Sequence, residues 1–450
     1  MTGQEASEIV QSVIARVHLN RVQELVFREA WAGKSYQEIA TISGYEVSYL
    51  TDVGCRLWQL LSKNLGIKVT KSNFQTVLKQ QKQWQQEKKA HLSTVKRVDW
   101  GDAIDVSAFY GRTAELDAIE EWILQDNCRL VVLLGMGGVG KTSLAAKLTE
   151  QIQNHFEYII WRSLRNAPPC KALISELILF FAREGQINLP NDIEAQISCL
   201  MDYLYQHRCL LILDNAESIL CEGTLAGSYR PGYQGYGQLL RRMSEQRHHS
   251  CLVLTSREKP IGLTAKEGKT SLVRLHQMAG LGYAEVEQLL KDKGLVKIED
   301  EFTKLVDRYT GNPLALNIAA STIHYLFNDD ISKFLQQDTF IFGEIWTLLE
   351  QQFNRLSSLE KQVMYWMTKA HSHRVQLADL LANIPNYSQR EMLEAIASLQ
   401  QRSLIETDSS SYALHSITLE YMIEKTKECC ESITLPLGRS TFKGWLVQED

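Results

Sequence analysis

Apolar residues recur at helical spacing near the start of the chain. Ile9, Val10, Val13, Ile14 and Val17 fall on one helical face, and Leu25, Val26 and Ala30 carry a second helix that Gly33 ends. Ser35 with Glu38 three positions on is a capping-box pattern, in which each side chain accepts the other residue's backbone N–H, and it starts a third helix. Gly44 closes that helix, and a long amphipathic one follows over Val47–Leu65. Ala40, Gly44 and Leu50 have the spacing of a helix-turn-helix: a small residue where two helices cross, a glycine in the turn, an apolar anchor on the second helix. Residues 1–85 therefore read as an all-α helix-turn-helix module, and the polar, Gln- and Lys-rich stretch 86–104 as a linker.

Beyond the linker the period changes. Leu130, Val131, Val132, Leu133 and Leu134 form a short continuous apolar run stopped by Gly135, the pattern of a parallel strand buried on both faces. Similar runs stand at 158–161, 210–213 and 252–254, with helical stretches between them. This order predicts an α/β fold with a parallel sheet over 105–265. Residues 266–340 read as a helical domain. In 341–428, Ser357 and Glu360 make another capping box, helical spacing follows, and two short extended runs flank a polar turn at 408–411; helices followed by a hairpin predict a winged helix. The tail, 429–450, has no clear pattern, and no repeat of any period is present.

Composition narrows the class. The 450 residues suffice for about two to four domains, and 44% hydrophobic with 22% charged residues fits a packed core. A net charge of −5 makes no whole-chain case for nucleic acid. The sign is uneven, however: Lys63, Lys68, Lys71, Lys79, Lys82, Lys88, Lys89, Lys96 and Arg97 are opposed only by Glu87. The nine cysteines are scattered without a C-x-x-C pair, and Cys128, Cys209 and Cys251 sit in apolar runs as small hydrophobes. No stretch has the pattern of a signal peptide or a membrane span, so the expectation is a cytoplasmic protein with no membrane partner.

The strongest chemical signal is Gly135-Met136-Gly137-Gly138-Val139-Gly140-Lys141-Thr142, followed by Ser143. It matches G-x-x-x-x-G-K-[ST] between a predicted strand and a predicted helix, the setting of a P-loop. Glycines let backbone N–H groups close around phosphates, and the helix N-terminus adds a favourable field. Lys141 would reach the β- and γ-phosphates of a nucleoside triphosphate, and Thr142 would ligate Mg²⁺. A second metal-holding group is expected at the end of a nearby strand, and Asp214 closes the apolar run there. Asn215 follows it and can orient a water without taking its proton; Glu217 could take that proton.

Taken together, the motifs resemble the NB-ARC class of STAND ATPases in their bacterial form, with an N-terminal helix-turn-helix module. The resemblance covers about 105–425 and rests on further segments. Phe109-Tyr110-Gly111-Arg112 looks like the family's hhGRxxE start, and Thr255-Ser256-Arg257 like its sensor strand. Gly311-Asn312-Pro313-Leu314 looks like its GxPL motif, and Leu414-His415-Ser416 like its MHD motif. The resemblance implies that Phe109, Tyr110 and Arg112 lie against the base and that Arg257 detects the γ-phosphate. It further implies that Pro313 packs near the adenine and that His415 contacts the β-phosphate of ADP. Two positions depart from the pattern: Asn215 replaces the usual second acid, and Ser416 replaces the aspartate of MHD.

What the resemblance implies is an ADP/ATP switch with Mg²⁺: ADP held in the resting state, self-association on exchange, and slow hydrolysis by Lys141, Asp214, Glu217 and Arg257. A separate sensor or effector protein is the expected partner. Two alternatives stand beside it, a DNA-binding transcription regulator and an initiator-like AAA+ ATPase. The would-be recognition helix opens on Glu46, Val47, Ser48, Tyr49, Leu50, Thr51 and Asp52 without a Lys or Arg, so DNA binding is expected to be weak.

Overall fold

The structure, a computed structural model, describes residues 20–65, 68–78, 97–182, 189–263, 268, 270–295, 299–370, 374–408 and 411–432. The first expected helix (9–17), most of the basic stretch and the end of the tail lie outside them. The chain divides into two compact units, 1–96 and 97–450. Among the described residues no helix is long and apolar enough to cross a membrane.

In the first unit α1 (Arg21–Trp31), α2 (Tyr36–Ser43) and α3 (Val47–Leu65) pack around Phe27, Ile39, Leu50, Leu57 and Phe74. The expected capping box is present, with Glu38 N 3.3 Å from Ser35 Oγ and Ser35 N 2.7 Å from Glu38 Oε2. Gly44 ends α2 at φ 75°, left-handed backbone that a side chain would strain. The Trp58 indole donates to the Tyr36 hydroxyl at 3.0 Å and ties α3 to α2. The turn and the start of α3 leave Ile42, Tyr45, Val47 and Tyr49 exposed.

The second unit opens on a six-stranded sheet: β1 (Arg97–Asp99), β2 (Leu130–Leu134), β3 (Tyr158–Ser163), β4 (Cys209–Asp214), β5 (Cys251–Ser256) and β6 (Val273–Gln277). The order across it is β1-β3-β4-β5-β2-β6, and every pairing is parallel. Alternate residues of the central strands enter two cores. Leu130, Val132, Leu211 and Leu254 lie on one face; Val131, Leu133, Ile212 and Val253 lie on the other. Burial on both faces is why these strands are continuous apolar runs. The edge strands carry no such run. Residues 97–99 fall in the stretch read as linker, and 273–277 fall beyond the expected end of the sheet at 265.

Around the sheet run α4 (Thr113–Leu124), α5 (Lys141–Ile152), α6 (Cys170–Phe181), α7 (Ile193–Gln206) and α8 (Gln234–Glu245). The helical segment follows as α9 (Tyr283–Asp292), α10 (Glu299–Tyr309), α11 (Pro313–Phe327) and α12 (Ile331–Leu335). Then come α13 (Gly343–Asn354), α14 (Ser358–Lys369), β7 (Arg374–Val375), α15 (Leu377–Asn383), α16 (Gln389–Gln401), β8 (Ile405–Asp408), β9 (Ser411–Leu414) and α17 (Ser416–Ser432). The last three strands form an antiparallel sheet in the order β7-β9-β8, the wing of a winged helix. One hydrophobic core runs from Leu281 through Phe302 and Ile345 to Met422, so the helical and winged-helix segments pack as one body.

Candidate nucleotide-binding site

The P-loop joins β2 to α5 at the C-terminal edge of the sheet. Here the chain's order reverses, because β2 lies between β5 and β6 while β3 lies three strands away. Crevices at such reversals are where open parallel sheets bind ligands. Gly138 shows why a glycine is needed: its φ is +80°, and a Cβ there would come within 2.8 Å of Leu314 Cβ and 2.9 Å of Asn312 Oδ1.

Every carbonyl from Gly135 to Val139 is held by a donor. Lys141 Nζ donates to Gly135 O at 2.8 Å and Met136 O at 3.0 Å. Asn312 Nδ2 donates to Gly137 O at 2.9 Å, and Leu314 N to Gly138 O at 3.3 Å. Arg112 Nη2 donates to Val139 O and to Ala279 O, both at 2.9 Å. With its acceptors engaged, the loop has N–H groups left to offer, which is the polarity of an anion site. Asn312 also caps α11 through Leu314 N and Ala315 N, with Pro313 in the first turn, where its missing N–H costs nothing. A single asparagine thereby joins the P-loop to the helical segment.

Four charges meet below the loop. Lys141, Asp214 and Glu217 are 7%, 5% and 6% exposed. Burial pushes the Lys141 ammonium down from its ordinary 10.5 to about 8, against the pull of Glu217 and with Arg257 adding to the shift. Burial also raises the Asp214 carboxyl, opposed by hydrogen bonds from Thr255 and Thr142. Thr142 Oγ1 donates to Asp214 Oδ1 at 2.9 Å, so the two oxygens expected to serve a metal stand side by side. A hard hydroxyl oxygen next to a carboxylate that burial destabilises suits Mg²⁺. Glu217 engages Arg257 twice: Oε1 is 3.1 Å from Arg257 Nε, and Oε2 accepts from Arg257 N at 3.2 Å. A Cβ built on Gly137 would lie 3.3 Å from Arg257 Cζ, which puts that guanidinium against the P-loop.

Several contacts have no counterpart in the motif reading. Thr255, on the strand between those of Lys141 and Asp214, donates to Asp214 Oδ1 and accepts from Asn215 N at 3.0 Å. Asn215 itself leaves β4 at φ 63°, a left-handed conformation that asparagine tolerates better than most residues. The Arg112 guanidinium, expected beside a base, is spent on backbone carbonyls and on Glu115 at 2.7 Å. Phe109 packs against the core on one side of the sheet, and Tyr110 against that of the helical segment. Pro313 lies over the end of the loop, with its Cγ 3.9 Å from a Cβ built on Gly140. His415 is not brought to the phosphate loop among its described contacts. Its Nδ1 is 2.7 Å from Glu406 Oε1, and it lines a groove with Gln277, Met278 and Ala279.

Residues 112–218 match the NB-ARC domain family, and residues 1–81 match the N-terminal HTH of vWA-MoxR associated proteins. An uncharacterized WD repeat-containing protein of Nostoc sp. is 47% identical over 349 residues, 74% of this chain and 28% of that protein. Disease resistance protein RRS1 of Arabidopsis thaliana is 25% identical over 198 residues, 42% of this chain and 13% of that protein. The chain thus spans less than a third of either relative. A Walker-type ATPase of Pyrococcus abyssi superposes with a TM-score of 0.50 at 14% identity, over 72% of this chain and 99% of its own, a likeness of fold. The matched span begins at Arg112 and ends just past Glu217, taking in the loop and the carboxylates beneath it, so the chain carries an NB-ARC domain, with a helix-turn-helix module ahead of it.

Proposed function

We propose that the chain is an ADP/ATP switch: it holds ADP in its resting state, exchanges it for ATP, and self-associates once its winged-helix half is released. The observation that carries this reading is the P-loop whose Gly135–Val139 carbonyls are all engaged, set over the buried Lys141, Asp214 and Glu217 and the half-buried Arg257. Lys141 and the loop N–H groups would hold the phosphates, and Thr142 and Asp214 the Mg²⁺. Mg²⁺ held there would supply charge neutralisation for the phosphates. Arg257 is the group placed to sense a third phosphate, since it rests against both Gly137 and Glu217. A γ-phosphate would draw it away from Glu217 and free that carboxylate to accept a proton from water. A separate sensor or effector protein would bias the exchange. Mass spectrometry of the nucleotide that co-purifies with the full chain tests the reading: ADP is expected, and a chain purified under native conditions with no purine nucleotide would overturn it.

Hydrolysis should be slow, below the ~1–100 s⁻¹ typical of kinases. Glu217, the candidate base, is engaged by Arg257, and Asn215 cannot take a proton. Glu217→Gln should lower turnover further in a steady-state phosphate-release assay. Unchanged turnover would remove Glu217 from the chemistry.

Binding should also weaken at high pH. In the folded chain burial brings Lys141 down to about 8, whereas phosphate contact needs it charged. Below about pH 8 the ammonium is already present; above it, binding must take up a proton, and affinity should fall up to about tenfold per pH unit. The same shift makes the buried charge a stability cost that is fully present below pH 8 and relieved as pH rises toward 10.5. Titration calorimetry at pH 7 and pH 9, in buffers of different ionisation enthalpy, would detect the proton uptake.

A further inference from the structure

We propose that a largely buried ionic cluster of Glu258, Arg355, Arg402 and Glu360 is the latch that carries the state of the nucleotide pocket to the winged helix. This inference rests on the switch reading above. Glu258 follows Arg257 in the chain and is 1% exposed. Its Oε1 is 2.6 Å from Arg355 Nη2 and 2.9 Å from Arg402 Nη1. Arg402 Nε reaches Glu360 Oε1 at 3.1 Å, and Glu360 is fully buried at the start of α14. Two buried carboxylates thus face two guanidinium groups, and a third carboxylate, that of the exposed Glu222, meets Arg355 Nη1 at 2.8 Å from the solvent side.

The cluster spans both sides of the proposed switch. Glu258 lies two residues beyond the end of β5, whereas Arg355 ends α13 and Arg402 ends α16, both in the winged-helix half. Arg355 Nη2 also donates to Glu217 O at 2.9 Å, so one guanidinium holds both the turn after Asp214 and the residue after Arg257. The loop that leaves this turn is pinned as well. Arg402 Nη2 donates to Thr224 O at 2.7 Å, and Gly223 N donates to Arg355 O at 2.9 Å. Ala226 N donates to Ser398 Oγ at 2.7 Å, and that hydroxyl donates to Glu360 Oε1 at 2.6 Å.

A contact of this kind switches sharply. Desolvated charges attract strongly when their geometry is complete and are costly when one partner leaves, so the cluster favours whole or broken arrangements over intermediate ones. The two residues whose positions a third phosphate would change, Glu217 and Arg257, are the chain neighbours of its anchor points. Movement of Arg257 toward a phosphate shifts the Glu258 peptide beside it, and release of Glu217 frees the carbonyl on which Arg355 rests. The cluster is not alone at this boundary: Gln277 Nε2 donates to Ser403 Oγ, and Leu348 lies against Gly137.

Hydrogen exchange read by mass spectrometry on the full chain tests the latch, because the amides of Gly223 and Ala226 report directly on it. In the wild type, peptides over 220–228 should exchange about tenfold faster with a non-hydrolysable ATP analogue than with ADP. Ser398→Ala, a mild change, and Glu258→Gln should each raise exchange there by up to about tenfold with ADP bound, while peptides of the central strands stay protected. Both variants should bind Mg-ADP with wild-type affinity, which separates a failed latch from a failed nucleotide site. If exchange over 220–228 keeps its wild-type rate in both variants, or the wild type shows no difference between the two nucleotides, the latch is wrong even where nucleotide binding stands. Loss of Mg-ADP binding by the wild type would instead strike the switch reading itself.

Discussion

Lys141→Ala lowers the affinity for both Mg-ADP and Mg-ATP by about two to four powers of ten. The estimate follows from two charge-assisted hydrogen bonds, each worth roughly 1.5–3 kcal/mol, that the ammonium would make to phosphate oxygens. The lysine is ready for them. It is buried beneath the loop, and its present partners are two neutral carbonyls, Gly135 O and Met136 O, which an anion would outbid. Its removal leaves the fold's main supports in place, because the strands around it pack through Val131, Leu133 and Val253. Titration calorimetry of both proteins with each nucleotide checks the result, with circular dichroism to confirm folding. Equal affinities in wild type and variant would sink the P-loop as the nucleotide site.

How far the architecture could be read from the chain depended on burial. The central strands were legible because both of their faces are covered, which turns each into an unbroken apolar run such as 130–134. The edge strands were not. Arg97–Asp99 and Val273–Gln277 each meet the sheet on one side only, and their mixed residues look like linker or loop until the pairing is seen. The site divides in the same way. Lys141, Thr142 and Asp214 stand at the ends of apolar runs or in a glycine-rich motif, where local sequence dictates local geometry. Asn312 could be read as a helix cap, but its bond to Gly137 O joins residues 175 positions apart, and no local pattern announces such a contact. Thr255 at Asp214 and Arg355 at Glu217 escaped for the same reason. A motif states which residue types meet; only the packing states which of them is already engaged, as it does for Arg112 at Val139 O and for His415 at Glu406.

The same distinction sets the second large effect, a loss of stability at Arg402. Its guanidinium serves Glu258, Glu360 and Thr224 O and is 4% exposed. Arg402→Met keeps most of the apolar stem but leaves two buried carboxylates without that partner. Breaking a buried pair from one side costs about 3–5 kcal/mol, most of it from the orphaned charge and less from the missing bond. The first unfolding transition, followed by intrinsic tryptophan fluorescence in a urea titration, should therefore move to markedly lower denaturant. Neutralising the carboxylates as well, in Arg402→Met with Glu258→Gln and Glu360→Gln, should recover a substantial part of the loss, because no buried carboxylate then lacks its counter-charge. Glu360→Gln alone should cost less than Arg402→Met, since the amide oxygen can still accept from Ser398 Oγ. The order of stabilities is the discriminating result. If the triple variant is less stable than Arg402→Met by the sum of its parts, the three residues act independently and there is no coupled charge cluster for the winged helix to close upon.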